Sequence, residues 1–405
     1  MAAGGSVTEQ PADERPDPMV TFLGIGAWIA LFVVLAFISW WMVAFVVGVL
    51  VSIFLHEVGH FVTARRSGMK VTQFFMGFGP RVFSFHRNGV EYGLRAVPLG
   101  AFVRIIGMNN LDEVSPGDEP LTYRQASFPK RLLVITAGSL MHVAIAVVLI
   151  TGVYALAGRV EETGEVTLYS VDPTSPAGKA GLQPGDVITA VNGTAVRVSD
   201  DFRTALGGTA PGTTVTLDVV RDGAALEFTP TLVQSPYAPA GEVRGFLGVS
   251  SDSRDRVRQS ALEALVDGPR DLVTAVGQSV VGIAKVINPV NVFGHLAGTN
   301  DDPSSRPTTL VGATRISDDF GAAEGWAGLF SLLAMLNVSV GVFNMFPLLP
   351  LDGGHAAIAV YERIRERNGK RYFADVSKLM PLVVATIALL GFMFLTGLYL
   401  DTVKG

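Results

Sequence analysis

Four long stretches of this sequence carry no charged side chain, and they decide what the chain can become. Phe22 to Leu55 has none, and neither do Leu132 to Ala157, Trp326 to Leu351 and Leu379 to Leu400. A helix needs roughly 20 apolar residues to cross a hydrocarbon core, so each stretch is long enough to span a bilayer. The chain is 17% charged and 49% hydrophobic, whereas soluble domains carry about a quarter charged residues. A polytopic helical membrane protein is predicted, with the lipid bilayer as its surroundings. The absence of cysteine removes disulfides, thiolate metal ligands and a cysteine nucleophile. A net charge of −5 gives no reason to expect nucleic acid as a partner.

The first stretch is longer than one untilted span requires. Either a separate helix over about Phe22 to Ile38 comes first, or one long helix protrudes. Ser39-Trp40-Trp41 can mark an interface, where Trp is enriched, but no Gly, Pro or Asn there supplies a tight turn. Met1 to Pro18 is polar, acidic and lacks the basic start of a signal peptide, so it reads as a disordered tail. Orientation follows from the basic loops, since short Lys/Arg-rich loops stay in the cytoplasm. Arg65, Arg66, Lys70, Arg124, Lys130 and Arg131 put residues 64–131 inside. Residues 361–378, with Arg363, Arg365, Arg367, Lys370, Arg371 and Lys378, lie there too. That places 159–325 outside.

Between Lys70 and Met108, turn signals alternate with β-prone runs, including Asn88-Gly89, a strong hairpin signal. A hydrophobic β-ribbon against the membrane is expected. It is either a structural hairpin or an edge for an extended peptide, because in lipid an open edge survives only where protein or water covers it. Outside, Glu165 to Gln234 contains Ser175-Pro-Ala-Gly-Lys-Ala-Gly-Leu-Gln-Pro-Gly-Asp-Val-Ile-Thr-Ala-Val-Asn-Gly193. This resembles a PDZ domain of the bacterial protease-associated type. Such domains bind a peptide by strand addition; a module that only blocks access is the alternative. Val257 to Asn288 has helical apolar spacing and predicts an amphipathic helix on the outer face, followed by a polar loop over Gly298 to Arg306.

The strongest chemical signal is His56-Glu57-Val58-Gly59-His60. Positions i and i+4 share one helix face, so both imidazoles can reach one metal ion. Zinc suits two imidazoles and a carboxylate with a fourth position open for water, and Glu57 can take that water's proton. Polar groups at the end of an apolar run are costly in lipid and point to function. The best third ligand is Asp352, in Asn344-Met-Phe-Pro347-Leu-Leu-Pro350-Leu-Asp352-Gly353-Gly354-His355. Its two prolines forbid a continuous helix, and unwound backbone at membrane depth is allowed where it lines a cavity. His355 competes with Asp352 as ligand. His86 and His295 fall in loop-like contexts.

HEVGH near the N-terminus, the PDZ-like insert and NMFPLLPLDGG near the C-terminus together resemble the site-2 protease family of intramembrane zinc metalloproteases. The likeness runs from about Val51 to the end and is to bacterial members with a single PDZ domain, of the regulator-of-sigma-factor type. It implies that His56, His60 and Asp352 bind Zn2+ and that Glu57 is the general base. It also implies that Asn344 contacts the substrate backbone or the developing oxyanion, and that the family's membrane β element maps to about Phe74 to Ile106, with Gly77, Phe78 and Gly79 touching substrate. The implied substrates are single-span membrane proteins such as anti-sigma factors, and in some members remnant signal peptides. One departure stands out. The second span of the family commonly opens with Ala-Gly-Pro and an Asn four residues after the Gly, where this chain has Ala137-Gly138-Ser139-Leu140-Met141-His142. His142 is then either a polar group beside the site or an ordinary hydrogen-bonded helix histidine.

The fold expected is a polytopic α-helical membrane protein of four or five transmembrane helices, with a membrane-associated β-ribbon and an inserted extracytoplasmic α/β PDZ-like domain, in the bacterial plasma membrane. Its segments are a tail over 1–18, a first membrane region over 19–66, the β region over 67–128 and a span over 129–160. The PDZ-like domain over 161–236 follows, then a linker over 237–324, a membrane segment over 325–357, a cytoplasmic loop over 358–377 and a last span over 378–405. Rival readings are a non-catalytic zinc scaffold, which needs no Glu57, and a metal transporter, which needs polar residues along several spans. A soluble zincin leaves unexplained why the motif continues a membrane run.

Overall fold

The computed structural model describes residues 18–108, 112–236, 243–367 and 371–403. All of the 1–18 tail except Pro18 therefore lies outside the described residues. Two compact units form, one of Tyr154–Ala264 and the other of the chain on either side of it. The larger unit begins with α1 (Pro18–Ile38), α2 (Trp40–Arg66), β1 (Val71–Arg87), β2 (Val90–Ile105) and α3 (Phe128–Ala157). The smaller contains β3 (Arg159–Val171), α4 (Pro176–Ala180), β4 (Val187–Val191), β5 (Thr194–Ala195) and α5 (Ser199–Gly207). It continues with β6 (Leu217–Arg221), β7 (Ala224–Phe228), β8 (Val233–Gln234), β9 (Gly245–Phe246) and β10 (Val249–Val257). The larger unit then resumes through α6 (Ala261–Ile287), α7 (Pro289–Ala297), α8 (Leu310–Asn344), α9 (Asp352–Arg365) and α10 (Met380–Val403).

Among the described residues five helical stretches are long and apolar enough to cross a membrane: α1, α2, α3, α8 and Val376–Val403, which contains α10. The long first stretch is thus two helices, parted at Ser39 alone. Ser39 is extended (φ −161°) and its hydroxyl accepts from the Trp41 N–H at 3.1 Å. An N-cap serine satisfies one of the orphan amides at a helix start, so the break needs no Gly, Pro or Asn. The same hydroxyl donates to Asp318. Trp41 meets Trp326 edge to face at 5.1 Å, and Phe45 is fully buried with Leu329, Leu332 and Leu333, which fixes α2 along α8.

The ribbon is wider than a hairpin. Residues 73–76 pair with 101–104 on one side and 91–94 on the other, while 81–87 pair with 90–95. Two bent strands therefore make a sheet four segments across. Gly77 and Gly79 both have φ +82° and flank Phe78, which pairs with Val97; this left-handed backbone is open to glycine at little cost. α1 hangs on the outer lap, where Thr21 Oγ1 donates to the Val82 carbonyl at 3.1 Å and Trp28 Nε1 to the Arg95 carbonyl at 3.0 Å. Among the described residues no strand pairs with the far side of 101–105.

Three further contacts set the helices that carry the site. Arg131 of α3 pairs with Glu362 of α9 at 2.5 Å, both buried, and Glu362 also accepts from the Ala374 N–H at 2.7 Å. Leaving one member of such a pair unpaired costs about 3–5 kcal/mol, so α9 is firmly tied to α3. Asp401 of α10 accepts from the Thr309 N–H at 2.8 Å and the Gly312 N–H at 3.2 Å, a carboxylate at the N-terminus of α8. α8 itself is broken at Gly325 (φ 62°, ψ −142°). The amphipathic helix spans Ala261–Ile287, since Val257 still belongs to β10. It lies against the helices rather than alone on a surface: Leu272 packs with Ala146 and Val338, and the Ser279 hydroxyl meets that of Ser339 at 3.2 Å.

The smaller unit is an antiparallel sheet in the order β10-β3-β4-β6-β7, with β5 on β4. Its core is Val166, Leu168, Ile188, Phe202, Leu217 and Val219. The sheet reaches beyond 161–236, because β10 pairs with β3 from Val249–Val171 to Val257–Arg159. The Ser/Asp/Arg-rich β10 is hard to read as a strand. Asp186, in the Pro-Gly-Asp turn, is fully buried and accepts from two of the guanidinium nitrogens of Arg221 at 2.6 and 2.7 Å and from the Gln183 N–H at 2.9 Å. Burial alone would raise its pKa, but Arg221 and the Gln183 amide hold it below the ordinary carboxylate value. A depressed carboxylate stabilises the fold above its unfolded pKa and loses that stability as pH falls through the folded one. Asp186→Asn is therefore expected to destabilise this unit by about 3–5 kcal/mol at neutral pH. Urea unfolding should show the gap narrowing in acid, below the unfolded carboxylate pKa of about 3.9.

Candidate metal centre

His56 and His60 lie one turn apart on α2, and Asp352 opens α9 after the unwound Met345 to Leu351 segment. The turn closes tightly because Gly353 packs against the Met345 backbone, where a side chain would collide. His56 Nε2 lies 3.1 Å from His60 Nε2; Asp352 Oδ2 is 3.3 Å from His60 Nε2 and 3.5 Å from His56 Nε2. Bonds of about 2.0–2.1 Å to a tetrahedral zinc give ligand-to-ligand edges of about 3.3 Å. The three donors therefore sit at the spacing one zinc ion requires. Two imidazole lone pairs this close repel unless a cation lies between them. Asp352 Oδ2 is buried with no hydrogen bond of normal geometry, as a coordinating oxygen would be.

The surroundings fit the same use. His60 Nδ1 donates to the Val134 carbonyl at 2.7 Å, which leaves Nε2 unprotonated and turned towards the other two donors, a common arrangement behind metal-binding histidines. Gly138 of α3 lies beneath both rings, and a Cβ there would strike His56 and His60. Glu57 is largely covered, with Oε1 4.0 Å from His56 Nε2. The Val103 backbone of β2 approaches its carboxyl, so the unpaired edge of the sheet passes beside it.

The other residues singled out by sequence lie as follows. Asn344 ends α8, half-buried, with its amide unpartnered among the described residues. Of Gly77, Phe78 and Gly79, Phe78 pairs with Val97 and the two glycines flank it in left-handed backbone, outside the free edge at 101–105. His355 lies one turn beyond Asp352 and lines a cavity of about 20 Å³ with Tyr123, Arg131 and Glu362, away from the three converging donors. His86 is on β1, and His295 on α7 is buried, 3.0 Å from the Ser305 hydroxyl; neither is in a loop. His142 is buried 4.9 Å, ring to ring, from His56 and bonded to Asn337 at 2.8 Å. Asn337 was not foreseen, since one amide within an apolar helix gives no sign of its partner.

The sequence profile of peptidase family M50 matches residues 44–389. Zinc metalloprotease Rip1 of Mycobacterium tuberculosis is 35% identical over 394 residues, covering 87% of this chain and 95% of its own. Rip1 of Mycolicibacterium smegmatis is 34% identical over 391 residues with the same coverage. Two PDZ-domain crystal structures, of SdrC-like proteins from Listeria monocytogenes and Listeria innocua, cover 22% of this chain and 87% and 92% of theirs, at 22% and 24% identity and TM-scores of 0.20 and 0.19. On these matches the chain belongs to peptidase family M50 and is a zinc metalloprotease.

Proposed function

We propose that this protein hydrolyses peptide bonds in or near the membrane-spanning segment of single-span membrane proteins, anti-sigma factors among them. Remnant signal peptides are a second substrate class of the same kind. The observation that carries this reading is the convergence of His56, His60 and Asp352 beside Glu57, with the two histidines and Glu57 on α2, a helix long and apolar enough to span a membrane. In this reading the two histidines and the aspartate hold Zn2+, which supplies Lewis acidity and a water acidified towards neutrality. Glu57 takes the proton of the attacking water and delivers it to the departing amine. The Asn344 amide donates to the carbonyl oxygen as negative charge builds there, a contact worth about 10²–10³ in rate where such donors have been removed.

A substrate helix must first expose its amides, each unpaired one costing several kcal/mol in hydrocarbon. The free edge at Ala101 to Ile105 offers replacement partners beside Glu57, and strand addition there would lay the unwound segment past the base. Gly77, Phe78 and Gly79 then shape the sheet that carries this edge. Proline at Ala101 or Val103, which cannot donate along the edge, is expected to lower cleavage at least about tenfold with zinc content unchanged. Full turnover by both variants would remove the edge from the mechanism.

Lys and Arg in the α2–α3 and α9–α10 connections favour the cytoplasmic side of a bacterial plasma membrane for those segments. The Tyr154–Ala264 unit then lies outside. We read it as PDZ-like, with an open groove of about 340 Å³ between α5 (Ser199, Phe202, Leu206) and the Gly245 to Val249 segment, suited to a peptide segment of substrate or partner. The reading is tested by cleavage of a single-span substrate in detergent, with and without a zinc chelator. Loss on chelation and recovery on adding zinc are expected; cleavage by protein measured to be zinc-free would refute it.

A further inference from the structure

The two histidines that converge on Asp352 are steadied in different ways. His60 has a hydrogen bond to the Val134 carbonyl. His56 has no such carbonyl partner: its Nδ1 is buried and unpartnered among the described residues, and the Gly138 carbonyl approaches without reaching hydrogen-bond geometry. What covers the His56 ring is His142, 4.9 Å away and tilted by 44°.

His142 is itself locked. Its Nδ1 lies 2.8 Å from Asn337 Oδ1. The Asn337 amide nitrogen donates to the Leu333 carbonyl at 2.8 Å and to the Ser52 hydroxyl at 3.0 Å. Ser52 in turn donates to the Gly48 carbonyl at 2.9 Å. A carbonyl can only accept, so Leu333 fixes which end of the Asn337 amide is nitrogen. The oxygen then faces His142, whose Nδ1 must carry the proton. All three side chains are buried, and a polar chain satisfied in this way has one low-energy arrangement. Ser52 precedes His56 by one helical turn, so the contacts run from α2 through α8 and α3 back to α2.

We propose that His142, oriented through Asn337 and Ser52, is the positioning residue that holds the His56 imidazole in its metal-facing pose. This rests on the zinc reading of His56, His60 and Asp352. His142 reaches His56 by packing and takes no part in proton transfer.

The test uses full-length protein in detergent, comparing wild type with Asn337→Leu, His142→Leu and His142→Asn. Three quantities are measured: the rate of zinc release to excess chelator, the visible spectrum of the cobalt(II)-substituted protein, and kcat and KM on a single-span substrate. Loss of a partner behind a metal ligand weakens affinity about 10–100-fold. Asn337→Leu and His142→Leu are expected to release zinc faster by that factor, with altered cobalt bands and a lowered kcat at unchanged KM. His142→Asn, which retains a donor towards Asn337, should fall between wild type and His142→Leu. Wild-type release and spectrum in Asn337→Leu would overturn the proposal. If that variant does not fold, the His142 pair decides, and equal release rates for Leu and Asn overturn it. A wild type that binds no zinc would sink the metal reading and this proposal together, whereas effects confined to the variants support both.

Discussion

Glu57→Gln is expected to hold zinc as well as wild type and to cleave at least about 10²–10⁴-fold more slowly. The glutamine keeps the volume and shape of the side chain beside the Val103 backbone, so the helix, the sheet edge and the three converging donors stay in place. It cannot accept a proton. General-base assistance contributes about that factor, equivalent to roughly 3–5 kcal/mol of barrier at 1.36 kcal/mol per decade. Single-turnover cleavage with zinc quantified in the same samples makes the comparison. Cleavage within tenfold of wild type would assign the base to another group.

The second large effect is on the metal. Asp352→Ala leaves two imidazoles 3.1 Å apart without the carboxylate that converges on both of them. In a site this covered, a divalent ion then lacks both a donor and the charge that offsets its own. Zinc affinity is expected to fall more than about 100-fold, beyond the 10–100-fold typical of a lost partner behind a ligand, and cleavage with it. Asp352→Asn keeps the shape and removes the charge, and should weaken binding in the same direction. His355 offers no substitute, because it faces the cavity shared with Tyr123, Arg131 and Glu362. Normal zinc content in Asp352→Ala, lost when His355 is also replaced, would make His355 the ligand instead.

What could be read in advance followed short-range rules. His56, Glu57 and His60 sit on one helix, where spacing alone brings two imidazoles to one face. Asp352 was legible because few carboxylates lie near an apolar run, and because Pro347 and Pro350 announce an unwound backbone. The break at Ser39 stayed one of two readings because a capping serine leaves a weaker mark than Gly or Pro. The doubling of the ribbon was hidden for another reason: register between segments depends on which laps meet, and a β-prone run does not say how many partners it has. Ser52 and Asn337 were invisible in principle. They are 285 positions apart, and each alone is an unremarkable polar residue in an apolar helix.

The pairing of Arg159 with Val257 means that the smaller unit enters and leaves the chain at a single point. Whatever is inserted there, the ends to be joined are one strand spacing apart, about 5 Å. The inserted unit and the hydrolytic centre can therefore diverge independently, and a foreign domain whose ends meet at that spacing fits between Gly158 and Arg258 without lengthening the chain on either side.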